Sequence, residues 1–221
     1  MAKTSLCAVP LALAIAASSL SAAQPSSVAV GRDPEAKVLW FQNDRDSAVG
    51  VVSQNFEASF DAYDNQGADD FLVPQGEVWV IKQIQVTGTY FSGTGPARSH
   101  NLYFHRNEDG RPGRVIATYL ELVGDPHGGN GEFLFTLPEP LKLKQGKHWL
   151  SVQVNMDFAD AGQWGWETRS TQEGRPAVWK NPGDGFDTGC ISYQRLQHCI
   201  GPLGEGPDFM FALYGKRRGS P

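Results

Sequence analysis

Cysteine is scarce, three in 221 residues, and one of the three (Cys7) lies in the first apolar stretch, so a disulfide-dense scaffold is excluded. Basic residues are the minority, 19 Lys and Arg against 24 Asp and Glu, and the formal net charge is −5. Nucleic acids and anionic membranes demand clustered positive charge, and no basic stripe offers it. After Ala23 no hydrophobic run is long enough to cross a bilayer, so no membrane insertion is expected. Catalytic signatures are missing as well: no Gly-x-Ser-x-Gly, no His-Glu-x-x-His, no glycine-rich phosphate loop with its lysine. Asn-x-Ser/Thr acceptors are absent too.

What is present begins with a leader. Lys3 supplies positive charge, Leu6 to Ala17 is apolar, and Ser21-Ala22-Ala23 offers small residues before Gln24. That pattern predicts a secretory signal peptide over 1–23 and a secreted, extracellular or periplasmic product. Cys7 lacks the small-residue context of a lipid-anchored cysteine. In the oxidising compartment that export implies, Cys190 and Cys199 are expected to form one disulfide.

Residues 24–37 are rich in Ser, Pro and Ala without a period and predict a flexible lead-in. Beyond them the pattern is strands and turns, with 25 Gly, 14 Pro and no long helical period. Strands are predicted at Val38–Gln42, Ala68–Val73, Glu77–Phe91, His100–Arg106, Arg114–Leu122, Glu132–Leu137 and Asp208–Gly215. Asn43 to Gln54 reads as loop, and Phe56, Phe60 and Tyr63 fit either a helical turn or extended chain. Pro74-Gln75-Gly76 predicts a strand end, and the alternation slips near Lys82, which predicts a bulge. Lys216–Pro221 is a basic tail. The expectation is one all-β domain over 38–215, an antiparallel β-sandwich of about ten strands, jelly-roll-like.

Four of the six tryptophans fall between Gly146 and Asn181. Leu150, Val152, Val154 and Met156 alternate with Trp149, Ser151, Gln153 and Asn155, a period of two that puts the aliphatics on one face. Trp164 and Trp166 repeat the alternation after a small-residue turn, which predicts a hairpin. Two stretches resemble modules of secreted bacterial proteins: Ala68 to Ile81 (A-D-D-F-L-V-P-Q-G-E-V-W-V-I) with Gly88 to Phe91, and Gly146 to Met156 with Gly162 to Trp166. Those modules are uncharacterised β-sandwich domains, similar in outline to carbohydrate-binding jelly rolls, and the resemblance spans most of 38–215. It implies a fold and a compartment and carries over no catalytic residue.

Candidate sites follow from side-chain chemistry. Trp149, Trp164 and Trp166, with Gln153 and Asn155, would make a stacking platform with hydrogen-bonding amides, suited to a polysaccharide or cell-surface glycan. The same tryptophans would equally fill a sandwich core. Asp61, Asp64, Asp69 and Asp70 offer hard oxygens for a structural calcium, or else cap turns and strand ends. A hydrolase would need paired carboxylates from Glu57, Asp61, Glu132 and Glu167, whose spatial separation no spacing reveals. The expected function is a secreted, non-catalytic glycan-binding module. The alternatives are an adhesion protein acting through protein contacts and a glycan-active hydrolase.

Overall fold

The computed structural model describes residues 31–129, 131–201 and 207–219. The predicted leader at 1–23 and the last two residues of the tail lie outside them. In chain order the elements are β1 (Lys37–Gln42), β2 (Asp46–Val52), β3 (Gln54–Asn55), a 3-10 turn at Ala58–Tyr63, β4 (Gln66–Val86) and β5 (Gly88–Phe91). Then come β6 (Ser99–Glu108), β7 (Arg111–Leu122), β8 (Asp125–Pro126), β9 (Phe133–Asn155), α1 (Phe158–Ala161) and β10 (Gln163–Arg169). The chain ends with β11 (Val178–Lys180), β12 (Gln194–Arg195), α2 (Leu196–Ile200), β13 (Asp208–Phe209) and β14 (Phe211–Gly219). Among these helices none is long and apolar enough to cross a membrane. The protein is an all-β sandwich, antiparallel except where β3 runs parallel to β9.

One sheet runs β1-β14-β4-β9-β6-β7, with β11 and β12 added at the first half of β4. A second, four-stranded sheet has β10 at its centre, with β2 on one side and β5 and β13 on the other. The organising piece is the β4–β9 ribbon, paired from Gly67↔Val152 to Val86↔Phe133. Val86 lies 15 residues beyond Phe71, about 50 Å along a straight strand. Phe211 pairs with Val86, yet its ring lies 6.4 Å from that of Phe71. The ribbon is therefore folded sharply, and since Phe71 also stacks on Trp79 at 6.2 Å, the fold lies between those two residues.

The sequence chemistry of that bend is plain. Register is lost between Val73 and Val78, where Pro74 cannot donate to a ladder and Gly76 adopts a positive φ of 78°. Pro74-Gln75-Gly76 thus bends the strand where a strand end was expected. A second register shift between Ile81 and Gln83 matches the bulge predicted at Lys82. Folding the ribbon back turns its inner faces toward each other. Leu150, Val152, Val154 and Met156 are all buried there, as the alternation predicts, with Ile81, Ile84, Phe135 and Phe211 in the same core.

Four expectations are corrected. Asn43–Gln54 contains β2, which pairs with β10 rather than forming a loop. No hairpin joins β9 to β10: α1 carries the chain from the large sheet to the small one. The expected basic tail continues β14, with Lys216 to Gly219 paired to Val80 through Glu77. The described end of the lead-in is held in place, with Ala36 packed beside Leu134 and Tyr214 and Asp33 ion-paired to Lys82 at 2.8 Å.

Candidate binding face

All four tryptophans of the 146–181 stretch are fully buried, which ends the stacking-platform expectation for Trp149, Trp164 and Trp166. Their indole N–H groups are consumed internally. Trp164 donates to the Gly131 carbonyl, Trp166 to that of Met210 and Trp179 to that of Val52, each at 2.8 Å, and Trp149 to Asn107 Oδ1 at 3.1 Å. A buried indole with its N–H paired is a core side chain. Trp149 does point away from the inner core, as its place in the alternation requires, but Ala68, Val178 and Tyr193 cover it.

Asn155 is also committed. Its amide donates to Ser99 Oγ and Asn101 Oδ1, and its carbonyl oxygen accepts from Asn101 and Asn55. This network ties β3, β6 and β9 together. Gln153 alone among the candidate ligand residues is half-exposed, holding the Asn65 carbonyl with one end of its amide.

The four aspartates do not converge on a metal. Asp61 is exposed on the 3-10 turn, and Asp64 Oδ1 accepts the Phe56 N–H at 2.7 Å. Asp69 is buried in β4 and accepts from Gln42 Nε2 and the Phe209 and Asp70 N–H groups. Asp70 takes Lys147 Nζ and the Arg175 N–H. With amide and ammonium donors already on these oxygens, calcium would have to displace them. Among the described residues no group of three or more His, Cys, Asp or Glu side chains is arranged to hold a metal ion.

The carboxylates considered for hydrolysis are similarly dispersed. Glu57 caps the start of α1 through the Phe158 and Ala159 N–H groups, and Glu132 accepts from Gln85 and Gly129. Burial, then the charges of Asp46 and Glu132, push Glu167 upward. An open groove of about 320 Å³ lies between Asp33, Lys82, Gln83, Thr136 and Pro138, but its polar groups pair with one another.

The outer face of the folded ribbon is different. Across it, His105 stands opposite Trp149, Tyr103 opposite Ser151 and Asn101 opposite Gln153. The neighbouring β11 runs beside β4 and brings Lys180 to this side. The Cys190–Cys199 disulfide, as expected, closes a loop with a sequence separation of 9. From that loop Tyr193 drops onto the sheet and donates its hydroxyl to Ser151 Oγ at 3.2 Å. Rings then run in a strip, Tyr103 to His105 at 6.4 Å and His105 to Tyr193 at 6.0 Å. Lys180 Nζ sits 4.6 Å over the Tyr193 ring. Tyr103, Tyr193, Gln153 and Lys180 are each half-buried.

Electrostatics leave this strip with a single charge. Burial raises the Tyr103 and Tyr193 phenols, so both are neutral. Burial, with the Lys180 charge nearby, lowers His105. His105 Nδ1 faces the Gly113 carbonyl at 3.0 Å and Nε2 has no partner. His100, five positions earlier, faces the core between Phe133 and Phe135, and burial pushes it down to about 4. The odd spacing of the two histidines does put them on opposite faces.

Sequence reasoning missed Tyr103, Tyr193 and Lys180. Tyr103 was within reach, since it alternates with Leu102 and Phe104. Tyr193 was not, because only the closed disulfide loop brings it over the sheet. The disulfide is expected to contribute about 2–3 kcal/mol by restricting the unfolded chain. A Cys190→Ser/Cys199→Ser double variant should lose that amount in denaturant unfolding. An unchanged midpoint would mean that packing alone holds the loop.

No protein-family model, curated protein or solved structure matches this chain.

Proposed function

We propose that the protein is a secreted, non-catalytic β-sandwich module that binds glycan, as a free polysaccharide or at a cell surface. The carrying observation is the strip of half-buried Tyr103 and Tyr193 on the outer sheet face, flanked by Gln153. Sugar rings present C–H faces to aromatic rings and hydroxyls to amides, and an aromatic strip with a few placed polar groups suits both. The tyrosines take the part that the tryptophans were expected to play. Secretion is supported by the leader-like sequence at 1–23 and by the disulfide, a bond that persists in oxidising compartments.

The test is affinity electrophoresis against a panel of neutral and acidic polysaccharides. The wild-type chain is expected to be retarded by at least one. A Tyr103→Ala/Tyr193→Ala double variant should lose about tenfold or more in affinity, as truncating two anchor aromatics does at other interfaces. Retardation by no polysaccharide, or equal retardation of the double variant, would overturn the proposal.

A further inference from the structure

We infer that the glycan held on this face is acidic, a uronate-type chain whose ring carboxylate meets the Lys180 ammonium. The inference rests on the glycan reading above and goes beyond it to the class of ligand. Its basis is the state of Lys180. Burial lowers this lysine, and among the described residues no carboxylate lies within ion-pair distance of it. Lys147, on β9, is by contrast committed to Asp70. A half-buried ammonium without an anion has given up hydration and received only a tyrosine face in return. A carboxylate brought in by a ligand would supply the missing charge-assisted hydrogen bond.

The placement suits a sugar acid. Lys180 Nζ takes up the face of the Tyr193 ring, at the end of the strip that begins with Tyr103, so a sugar against Tyr103 would turn its carboxylate toward the cation. His105, lowered by burial, adds no second positive charge to the strip. One cation per binding position matches one carboxylate per sugar. Polymers carrying more than one anionic group per sugar are disfavoured, because the strip offers a single ammonium.

The experiment compares polygalacturonate with its carboxyl-reduced form, which keeps the backbone and loses the charge. Wild type is expected to bind the acidic polymer at least tenfold tighter, with a preference that shrinks as salt is raised. Lys180→Gln should abolish the preference and Lys180→Arg should restore it, with thermal melts confirming that both variants fold. Dextran sulfate serves as a charge control and is expected to bind more weakly than polygalacturonate. Equal binding of the acidic and reduced polymers, a preference that survives Lys180→Gln, or equal retention of dextran sulfate would overturn the uronate assignment while the glycan reading stands. Retention of none of these, nor of any polysaccharide in the wider panel, would overturn both.

Discussion

Trp166→Ala is expected to cost about 3–5 kcal/mol, a large fraction of the roughly 5–15 kcal/mol that holds an ordinary domain together. The indole is fully buried, stacked on Phe209 with ring centres 4.5 Å apart and planes 9° from parallel. It also meets the edge of Phe211 at 6.2 Å. Truncation opens a cavity at the seam between the two sheets, because Trp166 belongs to β10 and Phe211 to β14. It also removes the donor to the buried Met210 carbonyl, a second cost on top of lost packing. Trp166→Phe, which keeps a ring and loses the N–H, should cost less than half as much. Denaturant unfolding followed by circular dichroism measures both. A loss under about 1 kcal/mol for the alanine variant would show that the seam does not depend on this side chain.

That seam marks where sequence reading stopped. The alternation through β9 displayed its inward face, and every aliphatic in it is buried. The slip at Lys82 displayed a bulge. What local pattern lacks is the partner. Pro74-Gln75-Gly76 looks like a strand end, and it becomes a bend only because β9 follows β4 on both sides of it. Asp46–Val52 lies in a glycine-containing stretch with polar flanks that read as loop, and it is a strand because β10 pairs with it. Trp149 was correctly set apart from the inner core, but its exposure depended on what lies above it. A loop forty residues downstream covers it with Tyr193. For the same reason the tryptophans were legible as a β-sandwich signal, while the face that suits a ligand was not legible at all.

Asp208→Asn is expected to stabilise the fold by a few kcal/mol above pH 7, with a far smaller effect near pH 4. Asp208 is fully buried on β13, accepts the Glu173 N–H through one oxygen and has no partner for the other. Burial is the main cause that pushes it up to about 7; the nearby charge of Asp70 adds to the rise, while the Glu173 N–H and the Arg169 guanidinium oppose it. Asp69, in contact range on β4, is likewise raised by burial and by Asp208, so the two cannot ionise cheaply together. The sign follows from proton counting. Between an unfolded value near 3.8 and a folded value of about 7 the native chain holds the proton and the unfolded chain has lost it. Stability therefore falls as pH rises through that window and levels off above it. His100, lowered to about 4, works in the opposite direction, losing stability as pH drops below its ordinary 6.5. The wild-type profile mixes these groups, and the difference between wild type and variant removes His100 and reads Asp208 together with its coupling to Asp69. The asparagine keeps a carbonyl oxygen for the Glu173 N–H, and Arg169 keeps its ion pair with Asp44 at 2.7 Å. Urea unfolding of both proteins at intervals from pH 4 to 8 reads the difference directly. If the gap stays flat across that range, or narrows as pH rises, Asp208 is ionised in the folded protein and the buried cluster is held by charge pairing instead.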